Sequence, residues 1–447
     1  MSGIAGIAQA GQTKLVNQML DKMAHRGRDW REMRERQGTT FGMTGPKIQD
    51  ADRAELKSSN LVRDRAGQGH FAQAEVLPGG FVLKRGTLGV RPLYYGWTSQ
   101  DAFCFASEMK GLLAATRDIH ELPNGHFFDG EQMNRYKEIV VQRPEEGTPV
   151  GFAVELRSRL ETAVQRRIGD GNVGAWLSGG LDSSAIAALA RPLVNKLHTF
   201  AIGLPGAPDL EYARAVAEFI HSDHHERVAQ ADEILSVLPD AIYALESFDA
   251  LLVRSTVMNY LVAKTASEFV PAVFSGEGGD ELFAGYEYLK TLDLADLPAE
   301  LVDITNRLHN TALQRVDRCS SAFGTVAHVV FLDPDVVEYA LKIPANLKLR
   351  NSVEKWILRE TMKGLLPETV LQRRKAKFWE GAGVEDLLAR YAEEKVSNTD
   401  FERERKLSDG LRLNTKEELY YYRIFREHFG EFDDLSWMGR TKGSPVA

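Results

Sequence analysis

Cysteine is almost absent from this chain. Of 447 residues only Cys104 and Cys319 carry a thiol, too few for a disulfide scaffold or a cysteine-based zinc site. Long apolar runs are absent as well, because Arg, Lys, Asp or Glu interrupts every stretch that could span a bilayer. The N-terminus lacks the charged-then-apolar pattern of a secretory signal. Nor is there an excess of positive charge: Lys and Arg number 55 against 63 Asp and Glu, a net charge of −8, with a pI near 5.9. That balance argues against nucleic acid or an anionic membrane as the main partner. Internal repeats and low-complexity tracts are missing too. What is there is 43% hydrophobic and 26% charged, an ordinary globular composition, and the length suffices for two or three domains. The expectation is a cytoplasmic, reduced, enzyme-sized chain.

Residues 1–145 differ in texture from the rest. Pro78-Gly79-Gly80, Phe81-Val82-Leu83-Lys84 and Leu93-Tyr94-Tyr95-Gly96 read as short strands joined by tight turns. The stretch from Gln142 to Pro149 has two prolines, two acids and a glycine without apolar period, and reads as a linker. Beyond it Phe152, Leu156, Leu160 and Val164 recur at helical spacing, with Arg166-Arg167 and Gly169 as the stop. A buried strand, Val173–Leu177, then enters a glycine turn and an alanine-rich helix, Ser184–Leu189. Strand Thr199–Gly203 and helix Leu210–Phe219 follow, and this alternation predicts a parallel α/β sheet. The last ~150 residues read mostly helical, ending in the aromatic pattern Leu419 to Phe429.

The most specific signal is Leu177-Ser178-Gly179-Gly180-Leu181-Asp182-Ser183-Ser184. Adjacent glycines let backbone approach a ligand, and amides at a helix start attract an anion. Ser178, Ser183 and Ser184 add hydroxyl donors, and Asp182 can hold a Mg²⁺ riding on the phosphates. The lysine of a Walker loop and the three-glycine Rossmann spacing are both missing. Downstream, Glu277, Asp280 and Glu281 sit among glycines just after the apolar run Val270–Phe274, where carboxylates suit metal binding and proton transfer at a sheet edge.

The loop Ser178–Ser184 matches the pyrophosphate loop of ATP pyrophosphatases, and the chain around it resembles the asparagine synthetase B family. Thr199–Leu204, Asp223-His224-His225-Glu226, Ser275–Tyr286, Phe331-Leu332-Asp333 and Tyr420–Phe425 also fit, so the resemblance spans most of residues 150–430. It implies an α/β protein in two parts. A shortened N-terminal-nucleophile-type α+β sandwich, similar to glutamine amidotransferases of type 2, would fill residues 1–145. An adenine nucleotide alpha hydrolase-like domain, with a five-stranded parallel sheet and a helical C-terminal part, would fill residues 146–447. The implied chemistry uses ATP and Mg²⁺: a carboxylate, aspartate by default, is adenylated with loss of pyrophosphate, and ammonia or another amine takes the acyl group.

By the same resemblance Asp280 shares Mg²⁺ with Asp182, and Glu277 deprotonates the amine or supports adenylation. Leu177, Ile202, Ser275 and Gly276 touch the nucleotide, together with Ser178, Gly179, Gly180, Ser183 and Ser184. Lys375, in Arg373-Arg374-Lys375-Ala376-Lys377-Phe378, aligns with a phosphate-contacting lysine, and a cation there would stabilise the departing pyrophosphate. Arg254 lies where the family has an arginine near the substrate. His224 and His225, adjacent and so pointing apart, are read as structural. The family often dimerises, so a homodimer is among the expectations.

The chain also departs from that family. Ser2 stands where an N-terminal cysteine would hydrolyse glutamine; a hydroxyl can serve as nucleophile, so this change alone is not decisive. Phe41 to Lys47 lacks the arginine expected to hold the glutamine carboxylate, and the Asn-Gly-Glu and Ser-Asp-Thr-Glu stretches are missing. The expectation is a glutaminase-dead scaffold domain, with nitrogen arriving as free ammonia, another amine, or from a separate glutaminase. In the synthetase part Leu251-Leu252 replace threonines, His328 replaces an arginine, and Phe378-Trp379-Glu380-Gly381 replaces a smaller polar loop. Leucine for hydroxyl suits a pocket less polar than one for aspartate. Two alternatives therefore stay open: a specialised amide- or lactam-forming relative, like β-lactam synthetases or lasso-peptide cyclases, and a non-catalytic ATP-binding regulator.

Overall fold

A computed structural model describes residues 1–46, 53–56, 59–374, 381–382, 384–408 and 410–441. The first third is two antiparallel sheets. One has six strands in the order Trp30–Arg36, Thr39–Gly45, Gly3–Ile7, Phe103–Ala106, Tyr94–Trp97 and His120–Glu121. The other has five, Met133–Arg135, His126–Phe128, Gly80–Arg85, Phe71–Leu77 and Leu61–Arg65. Alternation along Phe71–Leu77 and Gly80–Arg85 turns Ala72, Ala74, Val76, Phe81 and Leu83 inward, as a one-face-buried sheet requires. Phe81 meets Phe105 of the other sheet edge-on at 4.9 Å between centroids, so the sandwich has its own aromatic core.

The helix Pro149–Gln165 starts where the linker ends. Thr148 caps it by accepting from the Gly151 amide, Pro149 occupies the first turn, and Phe152, Leu156, Leu160 and Val164 are its buried stripe. Next comes a five-stranded parallel sheet in the spatial order Asp223–Val228, His198–Gly203, Gly174–Trp176, Ala272–Ser275, Val326–Val329. The strand earliest in sequence is central, and the chain builds first to one side of it and then to the other. The order therefore reverses beside Gly174–Trp176, where α/β sheets open a ligand crevice at the strands' C-terminal ends. The remainder is mostly helical up to Lys416–Phe429. Helix Leu181–Ala190 is apolar on nearly every side, burying Ala185, Ile186, Ala187 and Leu189, as befits a helix inside the layer. Among the described residues no helix is long and apolar enough to cross a membrane.

The expected elements appear with modest shifts. The strand expected over Val173–Leu177 is Gly174–Trp176, because Leu177 already turns into the loop, and the helix expected from Ser184 begins at Leu181. The leucines expected to shape a pocket do otherwise. Leu251 and Leu252 are buried in the first turn of helix Ala250–Ser267, whose cap is Asp249 accepting from the Leu252 amide at 2.8 Å, and neither reaches the crevice.

Candidate active site

Two clefts meet over the loop that follows the central strand. The larger, about 700 Å³, is lined by Leu177, Ser178, Asp182, Ser183, Ile202, Ser275, Gly276, Glu277 and Asp280, with Trp176, Phe200, Asn259, Val262 and Arg315. The smaller, about 530 Å³, shares Ser178, Asp182 and Ser183 and adds Gly180, Asp209, Lys355, Arg359, Arg373 and Arg374. One wall is apolar and the other cationic, the division that a nucleotide with its phosphates requires.

The loop is fixed by its own backbone and hydroxyls. The Leu177 amide donates to the Phe200 carbonyl at 2.8 Å, and the Ser178 amide donates to Ser183 Oγ at 3.2 Å. Ser183 Oγ in turn donates to the Gly180 carbonyl at 3.2 Å. Gly179 has φ +69°, and a Cβ there would lie 2.4 Å from Tyr212 Cβ and 2.5 Å from the Ala213 amide nitrogen. Only glycine fits. At Gly276 a Cβ would come within 2.7 Å of the Ser183 amide nitrogen, so the acidic loop lies directly against the phosphate loop.

Lys355 joins the two loops. Its side chain is 3% exposed, and Nζ lies 2.5 Å from Asp182 Oδ2 and 2.5 Å from Asp280 Oδ1. The carboxylates expected to share Mg²⁺ thus converge on one point, at which the ammonium sits. Two hard carboxylate oxygens at such a point fit magnesium. Glu277 is paired with Arg315, which reaches it from helix Ala312–Ala322. Glu281 is buried and accepts from the Tyr286 hydroxyl; burial, then the charges of Asp280 and Glu277, push its carboxyl up to about 7. In the cationic cleft the Arg373 guanidinium lies 4.0 Å over the Tyr212 ring, pairs with Asp209 and donates to the Ser178 carbonyl at 3.3 Å.

Of the residues singled out from sequence, Leu177, Ser178, Gly180, Asp182, Ser183, Ile202, Ser275, Gly276, Glu277 and Asp280 line the clefts. Gly179 shapes the loop from beneath. Ser184 is fully buried, lines neither cleft, and its hydroxyl has no hydrogen-bond partner among the described residues. Arg254 lies elsewhere: it forks onto Glu417 of the C-terminal helix at 2.9 and 2.6 Å and lines neither cleft. Lys375 and Phe378-Trp379-Glu380 lie outside the described residues. Lys355, Arg315, Asn259 and Arg359 were missed because each stands alone in sequence, distant from the loop it serves. No local sequence pattern marks Lys355, and its left-handed backbone, φ +56°, shows only in the structure.

Ser2, expected from the resemblance at the place of an N-terminal nucleophile, is enclosed. Ser2 is fully buried; its amide donates to Asp64 Oδ1 at 3.1 Å, and its carbonyl accepts from Arg26 Nε at 2.8 Å. Arg26, also fully buried, pairs with Asp64 at 2.9 Å, Glu108 at 2.7 Å and Asp317 at 2.7 Å. Asp317 belongs to helix Ala312–Ala322, so the second half of the chain supplies a charge to this position. Burial alone would raise the Asp317 carboxyl, and the Arg26 guanidinium against it holds it well below the usual carboxylate range.

Comparison with known proteins places these clefts in context. A family model described as Asparagine synthase matches residues 155–302 and 293–443, and one described as Glutamine amidotransferase domain matches residues 52–114. The chain is 35% identical over 388 residues to a probable asparagine synthetase (glutamine-hydrolyzing) of Schizosaccharomyces pombe, covering 78% of this chain and 70% of that protein. It is 33% identical over 398 residues to asparagine synthetase B (glutamine-hydrolyzing) of Escherichia coli, covering 83% and 72%. With asparagine synthetase (glutamine-hydrolyzing) 2 of Arabidopsis thaliana it shares 33% over 375 residues, covering 78% and 65%.

Proposed function

This chain belongs to the asparagine synthase family of ATP-dependent, AMP-forming carbon–nitrogen ligases, and from that premise we propose that it makes asparagine from aspartate and ammonia without using glutamine itself. The observation that carries the reading is the convergence of the phosphate loop, the acidic loop and Lys355 at the crevice. The aspartate side-chain carboxylate attacks the α-phosphorus of ATP, the bond to the β-phosphate oxygen breaks, and aspartyl-AMP and pyrophosphate result. Ammonia then attacks the acyl carbon, loses a proton, and expels AMP.

Leu177, Ile202, Phe200 and Val262 give the nucleoside an apolar wall, and the Ser178–Ser183 turn with its two serine hydroxyls takes the phosphates. Lys355, Arg359 and Arg373 line the side on which pyrophosphate charge develops, and Lys375 is assigned to the same task through the family alignment. Asp182 and Asp280 would hold Mg²⁺, which supplies charge neutralisation on the phosphates. Glu277, oriented by Arg315, accepts the proton of the attacking amine. Arg254, tied to Glu417, is assigned a positioning task on the C-terminal helix.

Residues 1–145 are read as a glutaminase-type domain retained as scaffold and residues 146–447 as the synthetase. Glutamine independence rests on Ser2 in place of cysteine and on the closed network of Arg26, Asp64 and Asp317. Free ammonium or a separate glutaminase is the nitrogen source, and the buried unpaired Cys104 and Cys319 suit a reducing cytoplasm. A homodimer is proposed from the family alone and is read by light scattering. The lactam-forming and regulatory alternatives gain no support, since Leu251 and Leu252 pack in the core and the relatives reported above are asparagine synthetases. The test is AMP and pyrophosphate formation from Mg·ATP, dependent on aspartate and ammonium, with asparagine as product. Absence of turnover with aspartate, under conditions where ATP binds, would overturn the choice of substrate.

A further inference from the structure

We propose that His198, Asp223 and His225 form a binding site for one divalent transition-metal ion, zinc being the fitting occupant, at the end of the parallel sheet opposite the nucleotide crevice. His198 and Asp223 are the first residues of adjacent parallel strands and stand in register, as do Phe200 and His225. Residues two apart share a face, so all three side chains project to one side. His224 between them turns the other way, to Thr199 Oγ1 at 3.0 Å.

His198 Nδ1 lies 2.9 Å from His225 Nε2 and 3.2 Å from Asp223 Oδ2, and His225 Nε2 lies 3.6 Å from that same oxygen. A tetrahedral zinc ion with bonds of about 2.0–2.1 Å separates its ligand atoms by about 3.3 Å. The three observed separations bracket that value, so a metal enters with shifts of a few tenths of an ångström. Two imidazoles and one carboxylate are donors for a borderline metal such as zinc, whereas magnesium prefers an all-oxygen shell. Phe269, 4.0 Å from His225 between centroids, and Phe200, nearly parallel to both imidazoles, fix the rings from the protein side. Asp223 is 37% exposed, so the outward side admits the ion and leaves a fourth position for water.

One group competes. Lys196 Nζ lies 2.6 Å from Asp223 Oδ2 and is 62% exposed, so it leaves at little cost. Phe200, two residues beyond His198 in the strand His198–Gly203, stacks on both imidazoles and also lines the crevice, so one aromatic ring lies between this site and the nucleotide wall. The bound ion ties the outermost strand to its neighbour at their starts.

The test is titration of EDTA-treated, dialysed full-length protein with Zn²⁺, and with Co²⁺ as a spectroscopic probe, in the absence of nucleotide. The expected result is one ion per chain, a visible cobalt spectrum of four-coordinate type, and affinity at least about tenfold weaker in His198→Gln and His225→Gln. Lys196→Met, a surface change, is expected to tighten binding by about two- to fivefold. Far-UV circular dichroism that matches the wild-type protein shows that these variants are folded. No stoichiometric binding, or binding indifferent to both histidine variants, overturns the proposal. If the histidine variants fail to fold, an unchanged affinity in Lys196→Met overturns it.

Discussion

Replacing Lys355 with methionine removes the cation between Asp182 and Asp280. Both carboxylates touch Nζ at 2.5 Å, so at most about 5 Å (twice 2.5 Å) separates those two oxygens. At an effective dielectric of about 20, two like charges at that distance repel by about 3 kcal/mol. Removal of one partner from a buried ion pair costs about 3–5 kcal/mol, which agrees. For a chain of 447 residues unfolding as one unit, the unfolding entropy near 60 °C is about 0.9 kcal/mol/K, so Tm in EDTA falls by about 3–5 °C. Millimolar Mg²⁺ then restores much of that loss without nucleotide, because the divalent ion takes the place of the ammonium. The wild-type protein gains less from Mg²⁺ alone. Pyrophosphate release in Lys355→Met falls by about 10²–10³, the effect of losing one charge-stabilising donor. The assay is calorimetry in EDTA and in Mg²⁺, paired with a pyrophosphate-release rate. A variant whose Tm in EDTA stays within about 1 °C of wild type, or responds to Mg²⁺ no more than wild type does, refutes the reasoning.

Three further outcomes are expected. Gly179→Ala places a side chain at φ +69° against Tyr212, costs about 1–2 kcal/mol in backbone conformation alone, and weakens ATP binding more than about tenfold; equal ATP affinity by calorimetric titration contradicts the packing of the loop. His70 is buried, donates from Nε2 to the Leu332 carbonyl at 2.8 Å, and is held to about 3 first by burial and then by Arg167. Its folded value lies below its unfolded one, so its stabilisation is complete above about pH 6.5 and declines as pH falls, by about 1.4 kcal/mol at pH 5.5. Glu281, raised to about 7, works in the opposite direction over pH 4.5–7, so the measurement is the difference between wild type and His70→Gln; thermal shifts that run parallel from pH 7.5 to 5.5 contradict the assignment. Ser2→Cys restores no glutaminase, because the closed network around Arg26 remains, and glutamate release from glutamine by that variant counts against the account.

Sequence legibility followed locality. The phosphate and acidic loops are continuous runs whose residue types state their chemistry, and both line the crevice. The strands around them could be read from apolar runs bounded by turns. Residues delivered singly by distant elements could not: Arg315 meets Glu277 only because helix Ala312–Ala322 packs beside the sheet, and Lys355 reaches Asp182 from 173 positions away. Leu251 and Leu252 show the complementary error. They lie on the helix that brings Asn259 and Val262 to the cleft, but about 10–16 Å earlier along its axis at 1.5 Å per residue. The pair His224-His225 read correctly as side chains pointing apart, while the partners of His225 depended on strand register, which one sequence does not state.

The central claim is that nitrogen enters as ammonia and never from glutamine at Ser2. The direct measurement supplies Mg·ATP, aspartate, ¹⁵N-ammonium and unlabelled glutamine together and weighs the asparagine formed by the purified chain. The account predicts an amide fully labelled with ¹⁵N and no glutamate above background. Unlabelled asparagine accompanied by equal glutamate would contradict it.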